Sequence, residues 1–290
     1  MSTKRIFSKI VRNNLPQVKD KYPFLYLEHG ILNIDDSSVK WVNSVGEVIR
    51  LPIATINSLF LGPGTSLTHA AIKTIAATNC TICWIGEDGF FFYAYGQTPT
   101  ADSRNFKRQI DLATSPKKSL ELARRLFAFR FPDLDLQNKN LREMQGMEGK
   151  RVKEIYEEKA KKYGVGWQGR RYRPGKFELS DVTNKFLTVG NSFLYGITAS
   201  VIHSLGYSPY VGFIHSGSPL PFVYDLADLY KEQLCIDPAF RLTLENAGEY
   251  NRDILIDNFR AIAIERKLLD RIVNNIKELF SVKNASNRCQ

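Results

Sequence analysis

The chain has 290 residues, with 40 Lys and Arg against 30 Asp and Glu, a formal net charge of +10. Hydrophobic residues make up 43% and charged residues 24%, a globular balance that excludes a disordered tail, a collagen and a membrane bundle. The positive excess favours an anionic partner, whether nucleic acid, acidic protein or lipid surface, without choosing among them.

The first hundred residues read as strand-rich. PFLYLEHGILNID predicts a strand, a turn at Gly30 and a second strand. SSVKWVN, EVIRLPI and INSLFLG continue with β-branched and aromatic residues at short spacing. Gly62-Pro63-Gly64 breaks the chain, and Thr65 and Ser66 are placed to cap a short helix, LTHAAIKTIAAT. TICWI, the turn GEDG and FFFYAYG then predict a hairpin. Cys80 and Cys83 form a lone C-x-x-C at the start of CTICWI. On a strand, residues three apart point to opposite faces, which favours packed core thiols over a metal or redox pair.

The composition changes at a Gly/Pro/Thr stretch, giving a division into a strand-rich domain (1–97), a linker (98–103) and a helical domain (104–290). DSRNFKRQIDLA opens the second domain. Ser115-Pro116 supplies a cap and a first-turn proline for KKSLELARRLFAF. LREMQGMEGKRVKEIYEEKAKKY predicts a long helix ended by Gly164, and Ser180-Asp181 cap VTNKFLTVGNSFLYGITASVIHSLG. The loop GYSPYVGFIHSGSPLP leads into a helix FVYDLADLYKEQL. One last long helix is expected over RDILIDNFRAIAIERKLLDRIVNNIKELF. The fold class is α+β: a β-rich domain carrying one short helix, then an all-α domain. No apolar run approaches the roughly 18 residues of a membrane helix, no secretory signal opens the chain, and only four cysteines are present. A cytoplasmic protein with no membrane association is expected.

Of the four histidines, His215 stands out because a Gly/Ser/Pro loop delivers it just ahead of a helix bearing Asp225 and Asp228. Aspartates three apart share a helix face, and a histidine with two carboxylates is a donor set for a divalent cation. The alternative is that both aspartates make ion pairs near the start of their helix, where the macrodipole favours negative charge. Glu148 lies between Gly146 and Gly149, each costing about 0.8–1 kcal/mol relative to Ala inside a helix. Close approach of another helix would justify them, and so would a nucleic-acid strand. Basic and aromatic residues interleave in Trp167, Arg170, Arg171, Tyr172, Arg173, Lys176 and Phe177, with further charge at Arg124, Arg125 and Arg130 and at Lys4, Arg5, Lys9 and Arg12. This pattern suits phosphate pairing with ring stacking, against a merely solvated basic face. No P-loop, G-x-G-x-x-G or G-x-S-x-G motif is present.

Taken in order, M-x-G-x-E-G-x-R-V (Met144 to Val152), H-S-G-S-P-L (from His215) and Y-D-L-A-D (Tyr224 to Asp228) resemble the CRISPR-associated endonuclease/integrase that inserts new spacers, in its type I-E branch. GPGTSLTHAA, WIGEDG and YGVGWQGRRY extend the resemblance over nearly the whole chain. It implies a catalytic set of Glu148, His215, Asp225 and Asp228. Glu148, His215 and Asp225 would ligate Mg²⁺ or Mn²⁺, and Asp228 would be an additional acid of less defined role. It also implies double-stranded DNA as substrate, a homodimer, a small ferredoxin-like partner subunit, and transesterification by DNA 3′-hydroxyl ends. His29, Arg170, Tyr172, Tyr195, Tyr224 and Arg252 become DNA-contact candidates. Ser218 stands where relatives often carry lysine, Ser66 where an arginine can occur, and His29 where a tyrosine can stack on a duplex end. A stand-alone nuclease trimming branched or single-stranded DNA would use the same ligands with water as the attacker, and a non-catalytic DNA scaffold would not need them.

Overall fold

The computed structural model describes residues 15–36, 38–86, 92–96, 102–171 and 177–281. The basic arm with Lys4, Arg5, Lys9 and Arg12, most of the GEDG turn and of the 98–103 linker, Tyr172, Arg173, Lys176 and Cys289 lie outside them.

Two four-stranded sheets form the N-terminal half. In the first, β1 (Tyr22–Leu27), β5 (Ile56–Leu61) and β7 (Thr81–Ile85) run parallel, and β8 (Phe92–Gly96) closes the edge antiparallel to β7. In the second, β4 (Val48–Leu51), β3 (Ser38–Asn43) and β2 (Gly30–Asp35) form an antiparallel meander, with β6 (Thr65–Leu67) parallel to β2. The turn between β1 and β2 is made at Glu28-His29, one residue ahead of the expected Gly30, with His29 at a φ of 53°. Thr65 and Ser66 belong to β6, so the cap of α1 (His69–Ala77) falls to Thr68, whose hydroxyl accepts from the Ala71 N–H. The expected cap at 65–66 mistook strand residues for a helix start, because β6 is only three residues long.

Every residue of β5 is buried, since both faces of its sheet are covered. Leu59 and Leu61 face a core shared with Leu32, Trp41 and Ile75. Phe60 faces the other way, into a core continuous with the helices. There Phe24 and Phe60 meet Phe193, with ring centroids 5.1 Å and 4.8 Å from it. A Cβ on Gly196 would lie 2.5 Å from the Phe60 ring, so this close helix-to-strand approach requires glycine. The two halves thus share one aromatic layer. Cys80 and Cys83 are both buried, Cys80 in the inter-sheet core and Cys83 against the helices. Burial pushes the Cys80 thiol up to about 12, which keeps it neutral.

The helical half comprises α2 (Arg104–Ala113), α3 (Pro116–Arg130), α4 (Leu141–Tyr163), α5 (Val182–Ser204), α6 (Pro221–Ala227), α7 (Asp237–Glu245), α8 (Arg252–Glu265) and α9 (Leu268–Leu279). Pro116 opens α3, and Asp181 caps α5 through the Asn184 N–H. Asn140 and Glu143 make a reciprocal capping box on α4, and Gly164 ends that helix at a φ of 64°. α5 is buried on nearly every side and forms the axis of the half. Two expectations fail here. The helix expected from Phe222 ends at Ala227, and after a turn a π-helical stretch (Glu232–Ile236) runs directly into α7. The last helix is broken at Lys267, which adopts a left-handed φ of 49° between α8 and α9. In both places the apolar periodicity runs through the break, so pattern alone could not find it. Among the described residues no helix is long and apolar enough to cross a membrane.

Candidate active site

Three elements bring the acidic residues together. α4 carries Glu148, α6 ends at Asp228, and the loop between α5 and α6 supplies His215. Asp225 anchors that loop. Its Oδ2 accepts from the Phe213 and Ile214 N–H groups at 2.6 Å and 3.2 Å. Its Oδ1 accepts from the His215 N–H at 3.0 Å and lies 2.8 Å from His215 Nδ1. A Cβ on Gly212 would fall 2.7 Å from Pro221 and 2.9 Å from Asp225 Oδ2, so the loop can close on α6 only with glycine there. Asp225 is 1% exposed, and its two oxygens are engaged by four contacts of this loop. Holding Nδ1 leaves Nε2 as the outward nitrogen of His215, and Nε2 lies 3.8 Å from Asp228 Oδ2. Gln145 of α4 donates to the Ile214 carbonyl, which ties the glutamate helix to the histidine loop.

Two cations complete the cluster. Arg130, the last residue of α3, contacts Glu148 Oε1 and Asp228 Oδ2 through the same nitrogen, Nη1. Lys231 Nζ lies 2.5 Å from Asp228 Oδ1, and it also stands over the Tyr195 ring at 5.1 Å. Burial pushes the Glu148 carboxyl up, against the opposing pull of Arg130. Burial also opposes ionisation of Asp228, but Lys231 and Arg130 outweigh it and hold that carboxyl low. The hydrogen bond to Asp225 raises His215 above its ordinary value despite burial. Among the described residues, no three His, Cys, Asp or Glu side chains stand close enough to share one ion. The oxygen and nitrogen donors suit a hard or borderline divalent cation, and two of them, Glu148 and Asp228, already share a positive charge, that of Arg130.

Of the residues expected as ligands, Asp225 faces the loop backbone, whereas Asp228 shares Arg130 with Glu148 and lies 3.8 Å from His215 Nε2. Sequence reasoning missed Lys231, although one helical turn past Asp228 is where an ion-pair partner belongs. It counted Arg130 only as surface charge. Tight helix packing would account for Gly146 and Gly149, yet a Cβ on either would meet nothing among the described residues within 4 Å. Among those residues the packing explanation is overturned, because none covers the glycine face of α4.

A cavity of about 830 Å³ adjoins His215 and Lys231, walled by Phe92, Tyr95, Tyr195, Tyr210 and Tyr224 among others. Tyr195 and Tyr224 meet edge to face at 4.9 Å. Arg170 also lines the cavity, and its guanidinium is bound to Asn184 and Thr188 of α5. Arg252 lies elsewhere. It forms a forked pair with Glu28 at 2.5 Å and 2.8 Å, linking α8 to the β1–β2 turn that carries exposed His29. Ser66 is exposed on β6, and Ser218 closes a tight turn onto the His215 carbonyl.

The family model for CRISPR associated protein Cas1 matches residues 25–132 and 129–278. The chain belongs to the Cas1 family. It is 57% identical over 282 residues to a CRISPR-associated endonuclease Cas1 2 of Chlorobaculum tepidum, covering 97% of this chain and 95% of the relative. The crystal structure of TtCas1 superposes with a TM-score of 0.81 at 34% identity, covering 91% and 98% of the two chains. A TtCas1-DNA complex matches at 37% identity with a TM-score of 0.68, covering 92% and 100%. The α+β architecture is thus that of solved Cas1 structures.

Proposed function

We propose that the chain is a metal-dependent DNA integrase of CRISPR spacer acquisition, joining the 3′-hydroxyl ends of captured DNA to a repeat by transesterification. The observation that carries this reading is the convergence of Glu148, His215 and Asp228, with His215 aimed by Asp225. We assign these three as ligands of Mg²⁺ or Mn²⁺, and Asp225 as the residue that positions His215.

The ion, when bound, polarises the scissile phosphodiester and eases ionisation of the attacking hydroxyl. The rest falls to the chain. Asp225 holds Nδ1 so that Nε2 is available, and Lys231 keeps Asp228 ionised. The basic surface supplies salt-sensitive affinity for DNA backbone, and the tyrosine-walled cavity offers rings for stacking beside the site. A new bond forms between the incoming 3′-oxygen and phosphorus, while the repeat strand's own P–O3′ bond breaks and releases its 3′-hydroxyl. One phosphodiester replaces another, so no nucleotide energy source is required, in keeping with a sequence that carries no P-loop motif.

The reading includes a homodimer, a small ferredoxin-like partner, a cytoplasmic location and the type I-E branch. An outward row of Ile31, Val42 and Val48, paired across three strands, supports self-association through the N-terminal half. Ile31 and Val48 are 49% and 55% exposed. The 37%-identical relative crystallised with DNA supports the substrate class.

The test is a strand-transfer assay with fluorescent duplex DNA, a plasmid bearing a repeat array, and the partner subunit present or absent. It is run in Mn²⁺, Mg²⁺ or EDTA beside Glu148→Ala and His215→Ala. Label joined to plasmid only with metal and intact residues is the expected result. Shortened DNA without joining would establish instead the trimming nuclease that the relatives' name, endonuclease, also accommodates. Binding alone would leave a scaffold. In the same assay His29→Ala should alter the length distribution of joined DNA, and an unchanged distribution removes His29 as a duplex-end cap.

A further inference from the structure

We infer that Arg130 is a built-in stand-in for the metal ion, neutralising Glu148 and Asp228 while the site is metal-free and giving way when the ion enters. The inference rests on the ligand set proposed above and adds a residue to its working cycle.

Three observations carry it. First, one nitrogen of Arg130, Nη1, contacts both Glu148 Oε1 and Asp228 Oδ2. A guanidinium often pairs with one carboxylate through its planar fork, two nitrogens on two oxygens, as Arg252 does with Glu28 in this same molecule, whereas Arg130 shares one nitrogen between two different carboxylates. A single point shared between two carboxylates is the geometry of a cation between ligands. Second, all three groups are withdrawn from water, with side-chain exposures of 12%, 15% and 11% for Arg130, Glu148 and Asp228. Two carboxylates so close and so dry cannot both stay ionised without a compensating charge. Third, Asp228, which Arg130 joins to Glu148, also has His215 Nε2 3.8 Å from its Oδ2, so three donors are linked through one carboxylate. Arg130 holds the place around which they would close. Its guanidinium also rests on the Phe131 ring at 4.9 Å, an apolar seat beside the site.

The sign of the effect separates this role from simple structural support. A residue that merely shaped the site would weaken metal binding when removed. A competing cation would strengthen it, because its repulsion of the ion and its claim on the ligands both disappear. Removing one charge at a few ångströms in a partly buried site is expected to tighten Mn²⁺ binding on the order of ten-fold or more.

The experiment measures Mn²⁺ affinity by calorimetry and melting temperature in EDTA and in Mn²⁺, for wild type, Arg130→Gln and Glu148→Gln, without DNA. Wild type should bind Mn²⁺ and Glu148→Gln should not. If wild type does not bind, the proposed metal site itself fails, which is a different result from failure of the stand-in role alone. Given wild-type binding, Arg130→Gln should melt lower than wild type in EDTA, bind Mn²⁺ more tightly, and gain more from Mn²⁺ in melting temperature. Unchanged or weaker Mn²⁺ binding by Arg130→Gln overturns the inference. Should Arg130→Gln fail to fold in EDTA, it is refolded with Mn²⁺ present. Recovery by Mn²⁺ supports the stand-in role, and failure to recover overturns it.

Discussion

Replacing Asp225 with asparagine separates the two aspartates that the sequence spacing could not. The Asp225 carboxylate accepts from the Phe213, Ile214 and His215 N–H groups and faces His215 Nδ1, two contacts on each oxygen. An asparagine keeps one acceptor oxygen and turns the other into an NH₂ that confronts donors. With the oxygen toward His215, the Phe213 and Ile214 N–H groups lose their acceptor. With it toward Phe213 and Ile214, the His215 N–H and Nδ1 face the amide. The first orientation orphans two buried N–H groups and the second orphans one, since Nδ1 can accept from the amide in its other tautomer; at about 1–3 kcal/mol each, Asp225→Asn should cost at least about 1–3 kcal/mol. Asp228→Asn leaves the partly buried Lys231 ammonium without its carboxylate, so it too should destabilise the protein in EDTA, but unlike Asp225→Asn it should abolish Mn²⁺ binding by removing a ligand. Urea unfolding in EDTA gives the first quantity and calorimetry with Mn²⁺ the second. The reasoning is refuted if Asp225→Asn unfolds within about 0.5 kcal/mol of wild type, the scatter of a surface change, while Asp228→Asn still binds Mn²⁺.

Two further outcomes rest on the geometry. Gly146→Ala and Gly149→Ala place a methyl where nothing among the described residues lies within 4 Å, so each should stabilise the protein by up to about 0.8–1 kcal/mol through helix propensity. If that open face admits a DNA strand, the double variant should bind DNA about ten-fold more weakly in a fluorescence titration, the cost of a steric clash of ~1–2 kcal/mol; unchanged affinity would remove the strand as the reason for the glycines. Lys21 donates to the Thr78 carbonyl at 2.8 Å and the Asn79 carbonyl at 3.3 Å, and burial lowers its pKa. Its folded form therefore binds fewer protons than the unfolded chain in the window just below the ordinary lysine value, so it favours folding more as pH rises through that window. The stability of wild type relative to Lys21→Met, measured by urea unfolding between about pH 8 and 10, should rise with pH, and a relative stability that is constant or falls contradicts the assignment.

Local chemistry made much of the fold legible. Pro116 at the start of α3, Asp181 capping α5 and Gly164 ending α4 each act within a few residues, so the chain announces them. The breaks at Lys267 and after Ala227 are tertiary. Leu268, Leu269 and Ile272 bury on one side of the first break and Phe259 and Ala263 on the other, so the apolar pattern is satisfied by two helices as well as by one. β6 is three residues long and exists because β2 offers it a partner. The open face beside Gly146 and Gly149 is an absence of neighbours among the described residues, and no sequence pattern encodes that.

That Glu148, His215, Asp225 and Asp228 would lie near one another was legible, while the contacts each one makes were not. Asp225 and Asp228 share a helix face by spacing, yet α6 spans only Pro221–Ala227, so Asp228 is its C-cap rather than a member of its first turn. A carboxylate at a helix C-terminus faces the negative end of the macrodipole. It is also buried, so two unfavourable terms add. Lys231 and Arg130 offset both, and Lys231 alone makes its contact without engaging Glu148. An acid placed where helix, burial and a neighbouring glutamate all disfavour its charge is stable only beside a concentrated positive charge. Arg130 and Lys231 supply that charge to Asp228, whereas Asp225 spends its own on four contacts of one loop.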